Sequence, residues 1–199
     1  MRRTALWMVA AAALVLALPL MRQAVAEEKK AEEPRKAPAF SLEDVGGKKV
    51  SLSDFTGKVV VLEWGSPRCP PWMRVHKAGT FRNLAEKYKD KGVVWVQICS
   101  NPKSDREQNR KFAETEKLTF PYLDDHAQDV AKAYGAKRTP HIFIIDQRTQ
   151  AGVIVYDGAI DDDPPGKKEP DKRINYVDQA LGELLAGKPI SIPKTAPYG

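Results

Sequence analysis

Two cysteines, Cys69 and Cys99, are the only thiols in a chain of 199 residues. That is too few for a disulfide-dense scaffold or a four-thiolate zinc site, so any sulfur chemistry uses one thiol or one pair. Cys69 has the setting of a reactive thiol. It sits in Trp64-Gly65-Ser66-Pro67-Arg68-Cys69-Pro70-Pro71-Trp72, after an apolar run and directly before two prolines. Proline lacks a backbone donor but suits the first turn of a helix, and it pushes the preceding residue into extended, cap-like geometry. The partial positive charge of a helix amino end and the guanidinium of Arg68 would both favour thiolate over thiol. The competing reading is a small buried hydrophobe, a common role for free cysteine.

Other side chains offer weaker chemistry. Trp64 and Trp72 flank the sulfur and fit either an apolar floor for a peptide or organic substrate or plain core packing. Cys99 ends a strand expected beside the one leading to Cys69, which leaves it open as a resolving thiol or as a buried strand residue next to Val96 and Ile98. His76, His126 and His141 are scattered. A soft copper(I) site from Cys69, Met73 and His141 is a weak pattern, and no metal or cofactor is expected. Asp161-Asp162-Asp163 lacks the ordered spacing of a calcium loop and is expected to be a solvated turn, and Lys167 to Arg173 a solvated charge run.

The elements that must hold the sulfur follow from hydrophobic pattern. Val59 to Trp64 is nearly all apolar, as a strand covered on both faces should be, and Val50 to Leu52 is a second short run beyond the turn at Asp54 and Gly57. A helix is expected from Pro70 towards Asp90, with an interruption near Gly79, and Val93 to Cys99 returns as a buried strand. This is a βαβ unit with parallel neighbouring strands. Asp105 to Lys117 and Ala127 to Tyr134 suit further helices, with Gly135 as a stop. His141 to Asp146 and Gly152 to Tyr156 form a hairpin, and Tyr176 to Ala186 a last helix ended by Gly187. The fold class is α/β, a mixed sheet with helices on both faces.

From about Pro38 to Gly199 the chain resembles the thioredoxin-like redoxin family, the group of alkyl hydroperoxide reductase, thiol-specific antioxidant and exported thiol-disulfide proteins. The resemblance is carried by Gly47 to Leu62, by Trp64 to Pro71, and by Arg138-Thr139-Pro140-His141-Ile142-Phe143-Ile144-Ile145-Asp146. It implies a thioredoxin-like mixed sheet with an N-terminal β-hairpin extension. It also implies a cis bond between Thr139 and Pro140, which face the active cysteine and present backbone for substrate pairing; an X-Pro bond costs only about 0.5–1 kcal/mol to hold cis. Glu63 stands where thioredoxins place a buried acid. Burial would raise its pKa and make it a proton carrier for the thiol, whereas a strand-edge position would pair it with a surface lysine.

The departures are informative. Position 72 is Trp, so the second cysteine of Cys-x-x-Cys is absent and simple dithiol exchange in that loop is excluded. Peroxiredoxins carry a Pro and a Thr upstream of the cysteine and an Arg on a later strand. Here Leu62, Ser66 and Pro140 stand at those positions, and only Ser66, three before the sulfur, could imitate the peroxide-orienting hydroxyl. Thr195 to Gly199 resembles a tail that continues into a further cysteine in some relatives, and the expectation is that no tail cysteine resolves Cys69. The resemblance thus implies a thiol oxidoreductase in which Cys69 attacks a protein disulfide or a peroxide and an external thiol reductant clears it. A non-catalytic binding module and a periplasmic copper carrier are the alternatives.

Composition bounds the rest. Met1 to Ala26 has the charged start, apolar stretch and Ala24-Val25-Ala26 site of a secretory signal, implying export to the periplasm or beyond without stable membrane insertion once it is removed. The formal charge of +6 falls by three when Arg2, Arg3 and Arg22 leave with that segment, too weak a surplus for nucleic acid. Residues 27–38 contain no aromatic or β-branched residue and are expected to be a flexible tether, followed by one domain over 39–199.

Overall fold

The computed structural model describes residues 35–148 and 152–199. The expected signal segment, Met1 to Ala26, and most of the expected tether lie outside the described residues. Strands β1 (Ser41–Asp44), β2 (Lys49–Ser51), β3 (Val59–Trp64), β4 (Val93–Cys99), β5 (Tyr122–Asp124), β6 (His141–Asp146) and β7 (Val153–Gly158) form one sheet in the order β2-β1-β5-β4-β3-β6-β7. The helices are α1 (Pro70–Lys77), α2 (Thr80–Tyr88), α3 (Arg106–Thr115), α4 (Asp129–Tyr134) and α5 (Tyr176–Leu185). Strand β3 runs parallel to β4 and antiparallel to β6, and β4 runs parallel to β5. This is the thioredoxin-like mixed sheet, widened by the β1–β2 hairpin, which joins it through β5.

The centre of the sheet is dry on both sides because β3 alternates between two cores. Val59 and Val61 face Trp72, Val75, Phe81 and Leu181 from α1, α2 and α5. Val60 and Leu62 face Ala131 and Tyr134 of α4 together with Phe40 and Leu52. Each fully buried aliphatic side chain contributes roughly 1.5–3 kcal/mol, so this double burial pins β3, and with it the loop that follows. The helix expected from Pro70 with an interruption near Gly79 is two helices, α1 and α2. Gly79, at φ +74, takes the left-handed conformation that separates α1 from α2, which glycine adopts without steric cost.

The short run at Val50 is a strand as expected, Lys49–Ser51 pairing with β1 at the sheet edge with Leu42 opposite Val50, while Leu52 opens a 3-10 turn. Two expectations are corrected. The end of the tether is docked: Lys36 bridges to Val153, the Ala37 N–H donates to the Gly152 carbonyl at 2.8 Å, and Arg35 is held by Asp157 and the Tyr134 carbonyl. These partners come from the entry to β7, the Asp157 side chain and the end of α4, which composition alone does not reveal. The Asp161–Asp163 turn is not solvated. Asp161 and Asp163 are buried, Asp163 accepts the N–H groups of Lys167 and Lys168, and Arg173 pairs with Asp163 while Lys168 pairs with Asp162.

Candidate functional site

Strand β3 ends at Trp64, and a turn closed by the Cys69 N–H donating to the Ser66 carbonyl at 2.9 Å carries the chain into α1. Cys69 is the N-cap of that helix, extended at φ −96 and ψ 113, with prolines in the first two helical positions. The residue before a proline is driven to this region, so Pro70 fixes the cap geometry. The half-buried thiol donates to the Thr139 carbonyl oxygen 2.9 Å away. The Thr139–Pro140 peptide is cis, and β6 begins at once with His141 opposite Trp64. The β3–β6 pairing therefore brings Cys69 against a segment 70 residues later in the chain.

A cleft of about 350 Å³ opens beside the sulfur, lined by Trp64, Ser66, Ser100, Lys137, Thr139 and Gly199 among others. Gly65 is required at its back wall, since a Cβ there would lie 2.2 Å from the Trp72 indole nitrogen. Ser66 is buried and its hydroxyl accepts the Arg68 N–H at 3.3 Å.

Beneath the cleft, Glu63 is fully buried, and both its oxygens accept indole N–H groups, from Trp72 at 2.5 Å and Trp95 at 2.6 Å. Burial pushes its carboxyl pKa up to about 8, and the two indole bonds, which favour the carboxylate, oppose that rise. Of the two readings left by the sequence, the structure has the buried acid. Neither oxygen is bonded to Cys69.

Several expected site residues stand elsewhere. Arg68 does not turn to the sulfur: its guanidinium donates to the Lys103 carbonyl at 3.0 Å and to Gln108 at 2.9 Å, partners contributed by the segment after β4. Trp72 is not a substrate floor. It is fully buried, stacks on His76 at 4.8 Å and packs against Phe81 and Phe112. Trp64 is also buried, edge-on to Phe143, with its indole donating to Ser100 at 3.0 Å, though it still borders the cleft. The Trp64/Trp72 surface required for a binding module is therefore core.

Both cysteines are free, and Cys99, wholly buried, faces Ser104 at 3.6 Å. His141 is committed through both ring nitrogens, to the Lys137 N–H and to Asp157 at 2.7 Å, and no group of three or more His, Cys, Asp or Glu that could hold a metal ion occurs among the described residues. Lys137, Arg138 and Gly199 escape sequence reasoning as cleft residues because nothing in their types marks them.

The redoxin family model matches residues 32–173. The chain belongs to the redoxin family. The thioredoxin-like protein YneN of Bacillus subtilis (strain 168) is 36% identical over 118 residues, which cover 59% of this chain and 67% of that protein. The thiol-disulfide oxidoreductase ResA of Bacillus thuringiensis subsp. konkukian (strain 97-27) is 34% identical over 122 residues, covering 61% and 68%. Among solved structures, an uncharacterized conserved protein from Geobacillus kaustophilus superposes with a TM-score of 0.70 at 34% identity, over 82% of this chain and 86% of that one. Over about 60% of its length this redoxin chain is thus about a third identical to proteins named for thioredoxin or thiol-disulfide chemistry, but it holds Trp72 where Cys-x-x-Cys would place the second sulfur.

Proposed function

We propose that this redoxin is a thiol-disulfide oxidoreductase that works through one nucleophilic sulfur, Cys69, on protein disulfides. The carrying observation is the position of that sulfur. It is half-buried at the head of α1, opens onto a cleft, and faces the backbone before a cis-proline. Similarity to ResA, a thiol-disulfide oxidoreductase, supports the reaction class.

In the step proposed, the Cys69 thiol loses its proton to solvent and the thiolate attacks one sulfur of the substrate disulfide. The substrate S–S bond breaks, its second sulfur leaves as a thiolate that takes up a proton, and a mixed disulfide remains on Cys69. An external dithiol then attacks the Cys69 sulfur and releases the substrate's first sulfur as a thiol. Its second sulfur attacks the new mixed disulfide, frees Cys69 and closes the reductant's own disulfide, so that two reductant sulfurs supply the two electrons. With Trp72 buried in the core and Cys99 facing Ser104, no second thiol of the chain takes part.

Disulfide attack is favoured over peroxide attack by the cleft's chemistry. The group within hydrogen-bond distance of the sulfur is a carbonyl acceptor, and the Arg68 donor is spent on Lys103 and Gln108. A peroxide oxygen accepting electrons needs donors beside it. Export is part of the proposal and rests on the Met1 to Ala26 pattern; among the described residues no helix is long and apolar enough to cross a membrane. The test is reduction of a protein disulfide by the chain with dithiothreitol in excess. Turnover that survives Cys99→Ser and vanishes in Cys69→Ser supports the proposal, and turnover that survives Cys69→Ser overturns it.

A further inference from the structure

Residues 193–199 run back along the outer edge of β7 to the Cys69 cleft. The Asp157 N–H donates to the Pro193 carbonyl at 3.0 Å, and the Thr195 N–H donates to the Asp157 carbonyl at 3.1 Å. The Thr195 hydroxyl lies 2.7 Å from that of Tyr156 and accepts the Ala159 N–H at 2.8 Å. Tyr198 then packs against Arg74 of α1, with the guanidinium carbon 5.9 Å from the ring centre, and its hydroxyl donates to buried Asp161 at 2.6 Å.

Beyond this anchor the chain reaches the sulfur's own partner. Gly199, at φ +123, lies so close to Thr139 that a Cβ would stand 1.9 Å from the Thr139 oxygen, and Arg138 donates to an oxygen of Gly199 at 3.2 Å. The Thr139 oxygen is the acceptor of the Cys69 thiol. Thr195 and Tyr198 are thus the staple, and exposed Gly199 is the contact with Thr139 that can lift.

We propose that segment 195–199 is an intramolecular occupant of the Cys69 cleft, filling the place beside Thr139 that an extended stretch of a substrate polypeptide must take, and that it lifts before a polypeptide disulfide reaches the sulfur. The inference rests on the thiol-disulfide reading above. Extended peptides bind by adding to free backbone groups, and a tethered segment competes for them at high effective concentration. Only a residue without a side chain fits against the Thr139 oxygen as closely as Gly199 does.

The test is the rate at which Cys69 is modified by glutathione disulfide, an extended tripeptide disulfide, and by the smaller iodoacetamide, mapped by mass spectrometry. Gly199→Ala, and a chain shortened after Lys194, should each react with glutathione disulfide about tenfold faster, as when the unmodified cleft is open about a tenth of the time. The gain with iodoacetamide should be smaller. A synthetic peptide of residues 193–199, Pro-Lys-Thr-Ala-Pro-Tyr-Gly, should slow the shortened chain again. Should the shortened chain fail to fold, Gly199→Ala and Tyr198→Phe keep the Thr195 staple and decide the question. Equal glutathione rates in these variants with a reactive Cys69 would overturn the tail inference and leave the redox reading standing. A Cys69 inert to both reagents in every variant would remove the redox reading, and the tail inference with it.

Discussion

The indole nitrogen of Trp72 donates to Glu63 Oε1 across 2.5 Å, so the residue standing where a second active-site sulfur would be is a structural partner of a buried acid. Trp72 is fully buried among His76, Phe81 and Phe112, which makes it both a core side chain and a donor. Trp72→Phe, which keeps most of the ring and loses the N–H, should cost about 1–3 kcal/mol and raise the Glu63 pKa above its present value. Trp72→Ala should cost about 3–5 kcal/mol through the cavity it leaves. Denaturant unfolding of the two variants separates the terms, and a Trp72→Phe variant as stable as the parent would show that the N–H contributes nothing.

Glu63 sets a pH dependence of stability with a definite sign. Its pKa is raised from 4.5 to about 8 by burial, so between those values the unfolded chain has released a proton that the folded chain retains. Stability from this group is full below about pH 4.5 and declines as pH rises to about 8, by about 1.4 kcal/mol for each pH unit within the window. In Glu63→Gln that slope should flatten, even though the amide leaves one indole N–H poorly partnered and lowers stability overall. Thermal unfolding from pH 4.5 to 8 measures it; an unchanged slope would mean that Glu63 does not retain its proton in the folded state.

Gly65→Ala places a methyl group 2.2 Å from the Trp72 indole nitrogen, closer than real Cβ contacts come. The indole must move, and with it the bond to Glu63. A loss of about 1–3 kcal/mol is expected from overpacking, read by denaturant titration together with a change in tryptophan fluorescence. A neutral variant would mean that the back wall of the cleft is looser than the structure shows.

Arg68→Ala should leave the pH dependence of Cys69 alkylation almost unchanged, because the guanidinium is bonded to Lys103 and Gln108. The change should instead loosen the segment after β4, with a stability loss of about 0.5–1.5 kcal/mol for the lost hydrogen bonding. A large shift in the alkylation profile would return Arg68 to the sulfur.

What the sequence made legible is what long-range pattern controls. Val59–Trp64 and Val93–Cys99 are long apolar runs around a helix-starting Pro-Pro pair, so β3, α1, β4 and the cap position of Cys69 follow directly. Strand β5 is only three residues long, too short for a period to show. Trp72 did carry a signal: with Val75 and His76 it forms an i, i+3, i+4 stripe, and all three are buried. The fate of Arg68 had none, because its partners lie 35 and 40 residues away and a long flexible side chain can face either side of its loop. The buried Asp161 and Asp163 were hidden similarly, since much of what they bind is backbone N–H, which has no sequence signature.

The central claim, that Cys69 alone performs the chemistry, is tested most directly by treating the reduced full chain with glutathione disulfide and locating the adduct by peptide mass mapping. One glutathione on Cys69 is expected, removed again by dithiothreitol, with Cys99 still a free thiol. An adduct on Cys99, or an intramolecular Cys69–Cys99 disulfide in its place, would contradict the single-sulfur account.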